Sequence, residues 1–321
     1  MSARSRQSRQ PDLEDAEVLA RIAESYYLRG KRQEEIAAQF NISRSYVSRL
    51  LDRARARGIV EISIRHPVRT ESLLEDQLRR RFGLKECIVV VAPDGAVDPL
   101  RLAGEAGADY LCRVIEPDHT LGVSWGTGVK SVIEALKCGR ARARHVVPLF
   151  GGLTLPTNDI SGADLGGRLA RALGASFQYL HAPWIVESAE LAQALKGQPD
   201  VAVALRQAAS ADIAYVGIGS VGTGSSALLF NATYLNRSEL GELTETGAVG
   251  DICGRLFDAE GKPCPVSFDD RIIGIDLPTL KQIPIVVGIA TGAQKARAIN
   301  AALRGGLVDV LVTDREGVLP D

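Results

Sequence analysis

The sequence predicts an α/β protein: an N-terminal helix-turn-helix domain followed by a doubly wound, mostly parallel sheet. Three observations predict it. Basic charge is concentrated in the first sixty residues. Two short helical patterns in that stretch are separated by a turn. Beyond about residue 85, apolar strand-like runs alternate with helical ones.

The 321 residues carry 38 Lys+Arg and 39 Asp+Glu, a formal net charge of -1. With 45% hydrophobic and 24% charged residues the chain suits a globular protein with a sizeable core, and the composition argues against disorder. No apolar run reaches the length of a membrane helix. The first ten residues, MSARSRQSRQ, lack the apolar stretch of a signal peptide, so a cytoplasmic location is expected. Cys87, Cys112, Cys138, Cys253 and Cys264 show no zinc spacing, and free thiols are expected. No metal and no cofactor are expected. Near-neutrality hides an asymmetry: residues 1–60 hold 12 Lys+Arg against 8 Asp+Glu, and the remainder 26 against 31. Such an asymmetry suggests a small anion-binding module joined to a larger acidic one.

The expected domains are a disordered tail over 1–12, a helix-turn-helix domain over 13–65, a linker and connector helix over 66–84, and an effector domain over 85–321. Residues 13–29 form an amphipathic helical pattern with Leu13, Val18, Leu19, Ile22, Tyr26 and Leu28 on its apolar stripe, and Gly30 stops it. A short helix is expected from about Gln33 to Phe40 and another from Arg44 to Arg57, with Ser43 as N-cap and Gly58 as stop. Ile36, Phe40, Ile42, Val47 and Leu50 are spaced to pack two steeply crossing helices; Ala37 permits close approach, and Asn41 tolerates a left-handed turn. That geometry turns Ser43, Arg44, Ser45, Ser48 and Arg49 outward. Arginine matches a guanine edge bidentately, and serine bonds bases or phosphates. Arg53, Arg55 and Arg57 suit phosphates, and Gln33 a backbone contact. The expected partner is double-stranded DNA; the other reading is a helical hairpin with a solvated basic face. Val60, Ile62 and Ile64 alternate as one short strand ending at Pro67, and residues 70–82 give a further helix.

The larger segment offers strands at 86–92, 119–125, 144–150, 211–219, 270–275, 284–290 and 308–314. Helices are expected at 98–115, 128–137, 162–173, 187–208 and 293–304. Ligands of such sheets bind at the carboxyl ends of strands. Ser124-Trp125-Gly126-Thr127-Gly128 follows one strand and opens a helix, as a phosphate cradle does, although a strand-to-helix turn needs glycine equally. Gly151-Gly152, Gly217-Ile218-Gly219-Ser220 and Thr291-Gly292-Ala293-Gln294-Lys295 follow other strands, the second leading into the polar Gly222-Thr223-Gly224-Ser225-Ser226. Several such turns aimed at one sheet edge make a pocket. Lys295 pairs with a phosphate or is merely solvated. Asp251 accepts sugar hydroxyls or is a turn aspartate.

These stretches resemble the SorC family of bacterial sugar-responsive transcriptional regulators. The matching segments are EEIAAQFNISRSYVSRLLDRARARGIVEI, GVSWGTGVKSVIEAL, VPLFGGL, ADIAYVGIGS, GAVGDICGRLFD and GIATGAQKARAINAALRGGLVDVLVTD, in the family's order from about residue 15 to the end. The resemblance implies an effector domain related to sugar-phosphate isomerases and deaminases. It also implies a homo-oligomer, dimer or tetramer, on palindromic operators, and control by a sugar, polyol or phosphosugar. By motif it assigns Gly126, Thr127 and Gly128 to a phosphate loop, Asp251 to an acidic effector contact and Lys295 to a basic one. Trp125 is bulky where relatives that bind phosphosugars carry a small residue, and Thr291 stands where glycine is frequent.

Two other functions fit the residues less well. A sugar-phosphate isomerase or deaminase needs acid–base chemistry at the pocket, yet His66, His119, His145 and His181 all fall outside the glycine turns, so no catalytic residue is assigned. A nucleotide switch needs a P-loop, and GVSWGTGVKS lacks its spacing.

Overall fold

The structure is a computed structural model. It describes residues 15–318 except 61–68, 93–96, 138–142, 154–161, 223, 225 and 232. The expected tail over 1–12, Leu13, His66 and the strand residues Ile62 and Ile64 lie outside the described residues. The chain divides into two compact units, residues 1–67 and 68–321.

The first unit contains α1 (Ala16–Tyr27), α2 (Gln33–Phe40) and α3 (Arg44–Ala56). Its core is Leu19, Ile22, Ala23, Ile36, Ala37, Val47, Leu50, Leu51 and Ala54, with Phe40 and Ile42 packed against it. Asn41 ends α2 at φ 54° and ψ 49°, the left-handed geometry the turn demands. The apolar stripe of α1 stops short of its expected end. Tyr26 and Tyr27 are exposed, and Leu28, just beyond the helix, is 80% exposed.

The second unit begins with β1 (Arg69–Thr70) and α4 (Ser72–Phe82). The connecting helix therefore belongs to this compact unit. The further sheet strands are β2 (Glu86–Val91), β3 (Thr120–Val123), β4 (His145–Pro148), β5 (Ser176–Phe177), β6 (Ile213–Gly217), β10 (Ile285–Ile289) and β11 (Val310–Asp314). Their order across the sheet is β1-β2-β11-β10-β6-β3-β4-β5. β1 is antiparallel to β2, and the other pairs are parallel. Adjacent residues of one strand enter different cores. Val89, Val147, Val216, Val286 and Leu311 lie in one apolar cluster. Val90, Val146, Tyr215, Val287 and Val310 lie in the other, with residues of α5 (Pro99–Val114), α6 (Thr127–Ala135) and α7 (Gly162–Leu173). Apolar residues on both faces of each strand are what a sheet covered on both sides requires.

In the second unit, three secondary-structure features differ from the sequence expectation. The run 187–208 is two helices, α8 (Ala189–Lys196) and α9 (Pro199–Ala209), because Pro199 starts a new helix and disfavours helical backbone at Gln198. Residues 270–275 are not a sheet strand. A 3₁₀ turn covers Asp269–Arg271, and the rest is clamped by isolated bridges: Ile272 with Ile185, and Gly274 with Phe150. Ile272, Ile273 and Ile275 are apolar because they are buried, not because they join a ladder. A second, antiparallel sheet of β7 (Gly219–Ser220), β8 (Gly250–Ile252) and β9 (Arg255–Phe257) carries no strong period-2 signal, its strands being two or three residues long. Of the cysteines, Cys87, Cys253 and Cys264 are buried free thiols, and burial pushes Cys87 up to about 12. Cys112 is disulfide-bonded, contrary to expectation, and Cys138 lies outside the described residues. Among the described residues no helix is long and apolar enough to cross a membrane.

Candidate DNA-reading helix and effector pocket

In the first unit, Ser43 caps α3: its Oγ accepts the Tyr46 N–H at 3.2 Å and lies 3.0 Å from the Ser45 hydroxyl. A serine cap is worth about 1 kcal/mol to the helix it starts. Arg44, Ser45 and Arg49 are exposed on the first two turns of α3, and Ser48 is half-buried between them. The Arg44 Nε lies 3.0 Å from Glu34 Oε1, both side chains being mostly in solvent, so the pair is weak and easily exchanged for a phosphate or base. The Arg49 guanidinium lies 5.1 Å over the Tyr46 ring. Tyr46, absent from the sequence reading, thus holds Arg49 to one side. Gln33 is the first residue of α2 and half-buried; Arg53 is exposed on the third turn of α3.

The pocket of the second unit follows from topology. β3 leads outward to its neighbour β4, whereas β6 leads the other way to β10 and β11. Connections from the adjacent β3 and β6 therefore diverge, leaving a crevice at their carboxyl ends. The register aligns Gly217 with Ile289, so β6 and β10 end together, while β3 ends two residues earlier with Val123 opposite Tyr215. Ser124 fastens two of them: its N–H bonds the Tyr215 carbonyl at 3.0 Å, and its Oγ accepts the Gly217 N–H at 3.2 Å.

After Ser124 the chain turns through Trp125, which is 6% exposed, and Gly126, whose φ of 109° favours glycine. No side chain caps α6 at Gly126. Its first N–H groups are those an anion would meet. Gly128 lets the first turn of α6 press against β10: a Cβ there would lie 2.8 Å from the Ile289 carbonyl oxygen. Thr127 is exposed.

Opposite stands the β8–β9 hairpin. Its two turn residues, Cys253 and Gly254, both have positive φ, 55° and 74°, as a tight two-residue hairpin needs. The hairpin sets Asp251 in register with Gly219. Asp251 is 4% exposed; its Oδ1 accepts from Ser226 Oγ at 2.5 Å and its Oδ2 from the Gly254 N–H at 3.3 Å. Gly219 has no room for a side chain: a Cβ there would fall 1.9 Å from Asp251 Oδ1 and 2.0 Å from Ser226 Oγ. From the β10 end, Lys295 reaches back and donates to the Ile218 carbonyl at 2.8 Å.

Burial pushes the Asp251 carboxyl up, against the opposing pull of Ser226, Lys295 and the Gly254 N–H. Burial pushes the Lys295 ammonium down, and Asp251 opposes that shift. Burial and Asp251 together raise the Cys253 thiol, so it is an inert wall rather than a nucleophile.

The structure brings Ser124, Trp125, Gly126, Thr127, Gly128, Gly219, Asp251 and Lys295 to one cavity of about 30 Å³. It does not bring Gly152, Ser220 or Thr291 to that lining. Gly152 is bonded through both backbone groups, to the Ala182 carbonyl at 2.8 Å and the Trp184 N–H at 2.9 Å. Ser220 pairs with Gly250 in β7, one residue past Gly219 and thus on the other face. Thr291 is half-buried just after β10. Gly217 and Ile218, from the glycine turn expected after β6, also line the cavity, with Ser226 from the polar run that follows; Cys253 and Ile289 line it with no site signal in the sequence. Only the fold brings Ser226 across to Asp251. His119 and His145 lie at the opposite ends of β3 and β4, and Glu116 and Asp118 cluster with His119 there.

Comparison with known proteins agrees with both units. A sugar-binding domain family model matches residues 66–318, and a helix-turn-helix domain model matches residues 20–65. The chain is 31% identical over 308 residues to the deoxyribonucleoside regulator of Bacillus subtilis (strain 168), covering 95% of this chain and 96% of that one. It is 35% identical over 305 residues to the transcriptional regulator LsrR of Enterobacter sp. (strain 638), covering 94% and 91%. The crystal structure of the full-length sorbitol operon regulator SorC from Klebsiella pneumoniae matches with a TM-score of 0.74 at 30% identity, covering 94% of this chain and 97% of that one. A DNA-reading helix joined to a sugar-binding α/β domain defines a class, the sugar-responsive transcriptional regulators. Within it, this chain belongs to the SorC family.

Proposed function

We propose that the protein controls a carbohydrate or polyol catabolic operon, and that a sugar, polyol or phosphosugar bound at the Asp251–Lys295 pocket sets its operator affinity. The observation that carries this reading is the donor set of the cavity. A buried carboxylate accepts hydrogen bonds from hydroxyls, a half-buried lysine ammonium donates, and the uncapped N-terminus of α6 favours an anionic or strongly polar end. A polyhydroxy compound complements all three. The relatives named for deoxyribonucleosides and for sorbitol point to the same chemical class.

Regulation follows from linkage. DNA and effector each bind one conformation of the oligomer better, so each shifts the other's affinity by the same factor. It acts where its operator DNA lies, in the cytoplasm, and as a homo-oligomer, a dimer or tetramer, because a single segment with few arginines has modest and salt-sensitive affinity for DNA. The reading is of a regulator rather than an enzyme, in line with the relatives named as transcriptional regulators. A gel shift with the intergenic DNA beside its own gene tests this reading. Sequence-specific binding that a sugar, polyol or phosphosugar weakens or strengthens supports it; absence of specific binding at low salt removes it.

A further inference from the structure

The cavity of about 30 Å³ has room for about one water molecule. Asp251 is 4% exposed, with its Oδ1 held by Ser226 and its Oδ2 by the Gly254 N–H, so a sugar hydroxyl reaches that carboxylate only if part of the lining moves.

Lys295 is bonded to the Ile218 carbonyl, in the strand ends of the main sheet. The Gly254 N–H that reaches Asp251 belongs to the hairpin, and Arg255 nails that hairpin down. The Arg255 guanidinium is buried, lies 2.8 Å from Asp269 Oδ1, and donates to the carbonyls of Asp269, Ile272 and Ile275. Ser226 is different. It opens α10 (Ser226–Leu229), a single turn of helix. Before it stand Gly222 and Gly224, with φ of 80° and 56° and open space where a Cβ would lie. Ser226 is nonetheless 2% exposed, and its hydroxyl is the shortest hydrogen bond Asp251 makes.

We propose that Ser226 is a built-in competitor of the effector: its hydroxyl and an effector hydroxyl contend for the same oxygen of Asp251, and binding releases Ser226 together with the start of α10. This rests on the reading of the cavity as the effector site. The exchange is chemically even, one hydroxyl donor replacing another on one carboxylate. It makes the pocket selective for ligands with a hydroxyl at that place, because a ligand lacking it would leave Asp251 buried and short of a donor. The displacement also has a route outward. Phe230 follows α10 and packs edge-on against Trp184 with ring centroids 6.4 Å apart, and Trp184 also meets Tyr234 at 5.5 Å.

The test compares full-length wild type with S226A. Isothermal titration uses four probes: D-sorbitol, D-fructose, D-fructose 6-phosphate and D-ribose 5-phosphate. For any probe that binds wild type, S226A should bind about tenfold tighter, since the competitor is gone. Binding that is unchanged, or about tenfold weaker as expected if Ser226 stays on Asp251 in the complex, overturns the proposal. In parallel, amide hydrogen exchange is followed without any sugar. Exchange at residues 226–231 should be faster in S226A than in wild type, with the β-strands unchanged. Equal exchange in the two proteins also overturns the proposal. If none of the four probes binds wild type, that counts against the effector reading for these chemistries, while the exchange comparison still decides the role of Ser226.

Discussion

Gly219→Ala puts the geometry of the pocket under the sharpest strain. The added methyl carbon would lie 1.9 Å from Asp251 Oδ1 and 2.0 Å from Ser226 Oγ. A carbon–oxygen contact settles near 3.3 Å, so one side must retreat by more than about 1 Å. The Asp251 side chain cannot rotate freely, because its Oδ2 takes the Gly254 N–H and the hairpin backbone is paired to β7. Either β7 lifts from β8 or the Ser226–Asp251 bond breaks. Overpacking of this kind costs about 1–3 kcal/mol, which at roughly 2–4 °C per kcal/mol lowers the melting temperature by several degrees. Displacing the carboxylate from its place also removes a charge-assisted contact to the effector, worth about 1.5–3 kcal/mol or roughly 10–100-fold in affinity. The reading helix lies in the other compact unit, so operator binding without effector should persist. Differential scanning fluorimetry and an operator gel shift with graded sugar measure the two effects. A variant that melts with wild type and responds to the same sugar concentration refutes the close packing of Gly219, Asp251 and Ser226.

Other outcomes follow from the same structure. D251N should keep operator binding and lose the sugar response, measured by the same gel shift. Because burial raises the Asp251 pKa, its contribution to stability is full below the ordinary carboxylate value of 3.8 and declines as pH rises through its folded value. Melting temperatures of D251N should therefore fall less than those of wild type between acid and neutral pH. R49A and R44A should each weaken specific operator binding by about 1–3 kcal/mol in fluorescence anisotropy if they read bases, whereas R53A should weaken all DNA about equally and flatten the salt dependence. N41A forces a left-handed residue without the local tolerance of asparagine and should cost the N-terminal unit about 1 kcal/mol, with N41G close to neutral in thermal melts.

Much of the fold was legible because its causes are local. The helix-turn-helix declares itself in five apolar positions, a small Ala37 and a left-handed Asn41, all within twenty residues. The sheet strands are written as apolar runs because both faces of the sheet are covered. What stayed hidden depends on long-range pairing. The segment 270–275 looks like a strand because burial alone makes Ile272, Ile273 and Ile275 apolar, and only the fold shows that its partners are isolated. The β7–β8–β9 sheet is too short for alternation to stand out. In the pocket, glycine turns after strands pointed to Gly126, Gly128 and Gly219. The same reasoning picked Gly152, whose backbone groups the fold spends on Ala182 and Trp184. Ser226 ends a polar run that the sequence marks only as following a glycine turn, and Cys253 carries no site signal; long-range pairing brings both to the cavity.

The central claim is that one chain couples a DNA-reading helix to a hydroxyl-binding pocket centred on Asp251. The most direct measurement is an anisotropy titration of full-length protein on its upstream DNA, at fixed salt, with and without each of a panel of sugars, polyols and sugar phosphates. The account predicts specific binding in wild type and in D251N, with at least one compound shifting operator affinity about tenfold in wild type and leaving D251N unmoved. Specific binding that no such compound alters, or an equal shift in D251N, would contradict it.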